Sequence, residues 1–235
     1  MKAIFNREFK SYFQRMSGYA FIGACVFCVG ALVTYYSLFY GMPSLVYALS
    51  DAMLVIALII PAFALSAISG ERKNGTDRLL SMLPVSRAQI VVGKYLALVA
   101  VFSISVAFCG LFPLWLDMIG EVNFATSYAG LLCYALFGVA MIAISLFISA
   151  AFDNLIIAAV VNYGALVVLY LLGTFASALI PFGWVRDIVL SLSFFGRFDS
   201  FIYGAFDLGA VIYYAIVAVV FLLLGIHTAE KRRLF

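Results

Sequence analysis

The sequence predicts an all-α integral membrane protein with six transmembrane helices, and three observations carry that prediction. Of its 235 residues, 66 % are hydrophobic and 11 % charged, with a mean hydropathy of +1.16; an ordinary soluble domain has about 25 % charged residues. The apolar residues fall into runs of span length, since about 20 helical residues cross a hydrocarbon layer ~30 Å thick. The basic residues gather in a few clusters that flank those runs. This length holds about six spans with short loops and is expected to leave no room for a second folded domain.

Residues 1–16 lack the apolar core of a cleaved signal peptide, so the amino terminus is expected to be retained. Ile4, Phe5, Phe9, Tyr12, Phe13 and Met16 gather on one helical face and Lys2, Asn6, Arg7 and Lys10 lie elsewhere. That pattern describes a basic amphipathic helix lying in the headgroup layer.

The first span is expected over 18–40 and ends in Tyr35, Tyr36, Phe39 and Tyr40, a cluster suited to an interfacial aromatic belt. A loop through Gly41, Met42, Pro43 and Ser44 precedes the second span, 52–69, in which Pro61 removes one backbone hydrogen bond and favours a kink. The third span, 91–115, contains Ser103, Ser105 and Pro113, and an acidic loop with Asp117 and Glu121 leads to the fourth, 128–150. Phe152, Asp153 and Asn154 form a tight turn into the fifth, 155–180, where Asn162 is expected to hydrogen-bond a neighbouring helix. Residues 181–207 are broken by Gly183, Arg186, Asp187, Gly196, Arg197 and Asp199 into pieces too short to span. They are expected to form a re-entrant segment in the outer leaflet, its irregular backbone buried in protein. The sixth span covers 208–226, and the tail carries Glu230, Lys231, Arg232 and Arg233.

Charge orients this layout. Of the basic residues, only Arg186 and Arg197 fall in loops on the side opposite the amino terminus, the central connection and the tail. The positive-inside rule then puts both termini in the cytoplasm and requires an even number of spans.

Composition also narrows the chemistry. A phosphate-binding loop ends in Gly-Lys-Ser or Gly-Lys-Thr, and Gly93-Lys94-Tyr95 has no hydroxyl after its lysine. ATP hydrolysis is therefore expected on another polypeptide, with no cofactor on this chain. Cys25, Cys28, Cys109 and Cys133 all fall inside spans, where a thiol acts as a small apolar group. The Cys25-x-x-Cys28 pair lacks the further ligands that a metal site needs, and the single histidine, His227, stands apart from any cysteine or carboxylate cluster. No metal site and no catalytic residue are assigned. Nucleic-acid binding is not expected, because no domain carries the basic clusters on a groove-sized face. The acidic residues Asp51, Asp117, Glu121, Asp187, Asp199 and Asp207 lie towards the outer face, most simply as solvated loop charges.

Between the second and third spans lies the one long stretch suited to water, ERKNGTDRLLSMLPVSRAQIVVGK from Glu71 to Lys94. Asn74 and Gly75 break the preceding segment, Thr76 caps a new turn, and Leu79, Leu80 and Leu83 share one face until Pro84 closes it. Ser86 and Gln89 have the form of a capping box for the next helix, which is expected to enter the bilayer at Gly93 and Lys94.

The run Glu71, Arg72, Lys73, Gly75, Thr76, Leu79, Leu80, Pro84, Ser86, Gly93 and Lys94 resembles the loop between spans two and three of type-2 ATP-binding-cassette (ABC) transporter permeases. The opening MKAIFNREFKSYF is similar to the amino terminus of gliding-motility-type permeases in that family, and Asp77-Arg78 departs from the pattern of many relatives. The resemblance implies that 71–90 is a cytoplasmic coupling loop with a short coupling helix, docking through Glu71, Arg72, Lys73, Gly75, Thr76, Leu79, Leu80, Leu83 and Pro84 onto a separate cytosolic ATPase that holds ATP and Mg. It further implies a multi-pass subunit of an exporter in the bacterial cytoplasmic membrane, surrounded by lipid and paired with a second permease subunit, identical or related. The alternative it allows is a mechanical transducer, in which ATP-driven motion acts on an envelope partner without solute transport, as in gliding-motility or copper-maturation systems.

Overall fold

The computed structural model describes residues 2–14, 16–41, 44–73, 87–152, 154–179 and 193–231. Among them the chain is helical and contains no strand. The elements are α1 (Lys2–Gln14), α2 (Ser17–Phe39), α3 (Leu45–Lys73), α4 (Arg87–Cys109), α5 (Phe112–Leu116), α6 (Phe124–Ala151), α7 (Leu155–Leu179), a 3₁₀ turn (Gly196–Phe198), α8 (Asp199–Ile202) and α9 (Leu208–Lys231). Among the described residues five stretches are long and apolar enough to cross a membrane: Ser17–Phe39, Leu45–Leu65, Ala88–Leu116, Phe124–Ala151 and Leu208–Lys231. A sixth apolar helix, Leu155–Leu171 within α7, is shorter over its described side chains.

Three helix starts are capped by a side chain. Asn123 caps α6, its Oδ1 accepting from the amides of Ala125 (3.1 Å) and Thr126 (3.3 Å). Asn154 does the same for α7 through the Ile156 amide at 2.9 Å, and Asp207 for α9 through the Gly209 amide at 2.8 Å. These caps matter because the first amides of a helix have no partner of their own. Between α1 and α2 the chain turns at Met16 in the left-handed region, φ 56°.

Several elements depart from the sequence expectation. The second span was expected from 52, but α3 begins at Leu45 because Asp51 does not end the helix: its carboxylate turns outward and accepts from the Tyr36 hydroxyl on α2 at 2.6 Å. The third span, expected as one rod over 91–115, breaks between Cys109 and Phe112, with Pro113 in the first turn of α5, where a missing amide costs nothing. Its helix starts at Arg87, where the capping-box expectation puts it, so Gly93 and Lys94 lie within α4. The sixth span, expected to end at 226, continues helical to Lys231. Met16, expected on the packed face of the first helix, lies beyond its end and is 75 % exposed. The expected coupling helix (Thr76 to Leu83), Met42, Pro43, Asp153, the last residue of the expected fifth span (180) and the 181–192 part of the re-entrant segment lie outside the described residues.

Helix α6 is the hub. Of its apolar window 67 % is buried, against 22 % for α2 and α9, so α6 is surrounded by protein while the other two face outward over most of their circumference. It packs most extensively against α9 and α3. Small residues on α6 let neighbours come close, as membrane helices need when hydrocarbon outside offers no hydrophobic drive to associate. The tightest approach is at Gly138, where an added Cβ would run into the ring of Phe102 on α4. Gly225 similarly admits α9 to the Phe147 backbone, 3.6 Å from its virtual Cβ.

Several hydroxyls are answered locally or across one contact, whereas those of Tyr134 and Ser145 are buried with no hydrogen-bond partner among the described residues. Thr34, Ser103 and Thr228 each donate to the carbonyl four residues back, at 2.7–2.8 Å. Between helices, Tyr163 on α7 donates to the Leu58 carbonyl (3.1 Å), next to the Ala57 carbonyl that Pro61, buried in α3, has no amide to serve. Tyr95 donates to Val139 and Ser149 to Leu65, both at 3.4 Å. Asn162 is buried and its Nδ2 has no hydrogen-bond partner among the described residues, while its neighbour Tyr163 makes an interhelical bond. Residues 193–202 are drawn inside, with Phe194, Phe198 and Phe201 buried and the Tyr214 hydroxyl of α9 donating to the Phe194 carbonyl at 2.7 Å.

The Gly138 contact yields a packing test. Gly138→Ala should destabilise the protein by about 1–3 kcal/mol, the usual cost of overpacking a close contact. Adding Phe102→Leu to that variant should recover most of the loss, read as the thermal midpoint in detergent.

Candidate functional site

Helices α3 and α4 are the flanks of the 74–86 connection, and the structure brings a third element to them. Glu71, Arg72 and Lys73 form the last turn of α3, and Arg87 opens α4. Gly75, Thr76, Leu79, Leu80, Leu83 and Pro84, and Ser86 of the capping box, lie outside the described residues. The element added to the flanks is α1.

Three contacts fix α1. The first is steric: a Cβ on Gly93 would lie 2.8 Å from Ile4 Cγ2 and 3.3 Å from Ile4 Cβ, so glycine lets α1 lie flush on α4. The second is electrostatic. Lys94 Nζ stands 3.5 Å from Glu8 Oε2, with the two side chains only 3 % and 8 % exposed, and Arg7, half exposed, reaches Glu8 Oε1 at 3.3 Å. The third is aromatic: Tyr12 packs on Phe63 of α3 at 4.9 Å between ring centroids, and Phe63 stacks on Phe21 of α2 at 4.2 Å. Gly18 at the start of α2 closes the corner, its virtual Cβ 3.2 Å from the Tyr12 carbonyl oxygen. Helix α1 is thus joined to α2, α3 and α4 at once.

Energetically the Glu8–Lys94 pair is a poor source of stability. Removing two charges from water costs several kcal/mol per ion, and attraction in the dry site roughly returns that cost. What the pair supplies is direction. Sliding α1 by one helical turn, 5.4 Å, would leave both charges buried and apart.

Sequence reasoning did not single out Glu8. The signal was present: Ile4, Glu8 and Tyr12 are spaced by four, so one carboxylate sits in the apolar stripe of an otherwise basic helix. The lysine of the Gly93-Lys94 pair was recognised, but its partner lies 86 positions away in the chain.

At the far end of the bundle a cavity of about 490 Å³ is lined by Asp51 and Leu54 of α3, Tyr170 and Gly173 of α7, and Phe195 and Asp199 beside the 3₁₀ turn. Two of the outer-face carboxylates that looked like separate loop charges therefore face a common space. Burial raises the pKa of Asp199. The neighbouring Arg197 guanidinium lies 5.3 Å from the Tyr213 ring centroid, within cation–π range. Cys25, Cys28, Cys109 and Cys133 are free thiols, and all but Cys28 are fully buried.

A bundle of span-length apolar helices with its cations kept to one end and to loops is the architecture of a multi-pass membrane protein. Comparison with protein families gives the class a name: the family model described as "ABC-2 family transporter protein" matches residues 15–227, and this chain belongs to that family. It is a permease component of an ABC transporter, a membrane-embedded transport protein. Comparison with curated proteins returns no match. Helix α1, with Glu8, precedes the matched stretch.

Two outcomes follow from this geometry. Lys94→Met should destabilise the chain by about 1–3 kcal/mol, because it leaves the buried Glu8 carboxylate with only the half-exposed Arg7 as an ion-pair partner among the described residues. The paired change Glu8→Leu with Lys94→Met should return the thermal midpoint to the original value or above it, since both charges are then gone. For Asp199 the sign is set by its raised pKa. Its ionised form disfavours the fold above that pKa, and the penalty disappears by the ordinary value of 3.8. Asp199→Asn should therefore raise the thermal midpoint near neutral pH, and the difference from the unmodified protein should shrink as pH falls towards about 4. Parallel melting curves at several pH values check this.

Proposed function

We propose that this chain is the transmembrane subunit of an ABC exporter in the bacterial cytoplasmic membrane, with six spans and both termini in the cytoplasm. The sixth span is α7. A separate cytosolic ATPase, holding ATP and Mg, supplies the energy, and a second permease subunit, identical or related, completes the path. The observation that carries this reading is the behaviour of α3 beyond its apolar part. The helix does not stop at Ile68 but continues through Ser69, Gly70, Glu71, Arg72 and Lys73. At 1.5 Å per residue its 29 residues extend about 43 Å, well beyond a hydrocarbon core of about 30 Å. A rigid helix that projects and ends in one acidic and two basic residues is a suitable arm for a partner to push.

In this mechanism the ATPase grips the connection through Glu71, Arg72 and Lys73 and through the Thr76 to Leu83 segment, with Gly75 and Pro84 bounding it. Closure of the ATPase dimer on ATP displaces the connection, and α3 and α4 tilt with it. The permease contributes no hydrolytic group. Its task is to convert the displacement into a change of access across the bilayer, and membership of the ABC-2 family over residues 15–227 supports that assignment.

The reversal Arg72→Glu with Lys73→Glu tests the docking. A cytosolic ATPase should co-purify with the unmodified chain and be lost with the reversed one, recovery dropping at least about tenfold for a change of 1.4 kcal/mol or more in docking. Membrane insertion should be unaffected. Undiminished recovery of the ATPase would remove these residues from the contact.

A further inference from the structure

Among the described residues, the most deeply buried acid–base pair joins two elements that the sequence keeps far apart. Glu8 lies in α1, ahead of the stretch that the family model covers, and Lys94 lies inside it. Resting on the reading above, we propose that Glu8 is a positioning residue: its carboxylate, held between Lys94 and Arg7, fixes α1 in one register on α4. In that register α1 passes displacement of the cytoplasmic end of α4 to α2.

The argument has three steps. An apolar pair in place of a buried ion pair generally gives equal or greater stability, so the charges here serve to choose one arrangement over its neighbours. The contact beside them is close enough to transmit a push: a Cβ on Gly93 would lie 2.8 Å from Ile4 Cγ2 and 3.7 Å from the backbone nitrogen of Phe5, so a single isoleucine side chain is all that separates α1 from α4 at this point. The other end of α1 is equally stiff. Only Arg15 and Met16 separate it from α2, the Ser17 hydroxyl donates back to the Tyr12 carbonyl at 3.4 Å, and Gly18 admits that same carbonyl against α2. Helix α1 is therefore a short strut between α4, which flanks the connection, and α2, which faces outward over most of its length.

Two measurements on the full chain test this. In a background with Cys25, Cys28, Cys109 and Cys133 changed to alanine, spin labels at Lys10→Cys on α1 and Leu96→Cys on α4, both exposed positions, report the register. The distance distribution should be single and narrow with Glu8 and Lys94 present, and broad or split with Glu8→Leu and Lys94→Met, although the thermal midpoint does not fall. One narrow distribution in both proteins would overturn the register. In lipid nanodiscs, with the co-purified ATPase and MgATP as the probe, the same pair of changes should leave the complex assembled and slow hydrolysis roughly tenfold, the size of an ordinary coupling between sites. Lys94→Arg, which keeps the charge pair, should stay within about twofold. Hydrolysis unchanged in the apolar variant would overturn the strut. If no ATPase accompanies the unmodified chain, the exporter reading fails, while the spin-label result still decides whether Glu8 sets the register.

Discussion

A bilayer offers no hydrogen-bond partner to a peptide group, and the architecture of this chain follows from that single constraint. Every described apolar stretch of span length is helical, because only then does each backbone amide find its carbonyl inside the segment. Many side-chain hydroxyls follow the same rule, while those of Tyr134 and Ser145 are buried without a partner among the described residues. Hydroxyls of Thr34, Ser103 and Thr228 fold back onto their own helix, and those of Tyr95, Ser149 and Tyr163 cross to the next. Asparagine and aspartate appear where helices begin, as caps at Asn123, Asn154 and Asp207.

The constraint also explains why a charge pair is found where it is. Glu8 and Lys94 meet where α1 crosses the first turns of α4, not in the middle of a span. Deeper, the cost of two ions would be harder to offset; further out, water would dissolve the pair and its directional value with it. Gly93 and Lys94 work together there, one removing bulk so that α1 can approach, the other supplying the partner that selects where along α4 it rests.

Much of the fold was legible because span-length apolar runs and the placement of basic residues are strong signals even in a single sequence. The boundaries were less so, and for physical reasons. A carboxylate at position 51 looked like the outside of the membrane, but a helix can carry one on its rim when a tyrosine such as Tyr36 donates to it. The break after Cys109 needed knowledge of how Gly110, Leu111 and Pro113 combine, which hydropathy does not register, since all the surrounding residues are apolar. Of the candidate site, the charged end of α3 and the Gly93-Lys94 pair could be read from motif and composition. Glu8 could not be placed without knowing that α1 lies on α4, a contact between segments some 80 residues apart. The roles assigned to Gly75, Thr76, Leu79, Leu80, Leu83 and Pro84 rest on the family resemblance, because these positions lie outside the described residues.

Pro61 gives α3 a further property. It divides the helix into an inner arm of about 18 Å, out to Lys73, and an outer arm of about 24 Å, back to Leu45. Tilted as one rod about that point, α3 would work as a seesaw with unequal arms, so that a given travel at the charged tip is enlarged by about a third at the opposite end. Asp51, tied to Tyr36 and bordering the outer cavity, rides on that longer arm. Gearing of this kind would let a small stroke below the membrane reshape a space above it without any unwinding in between.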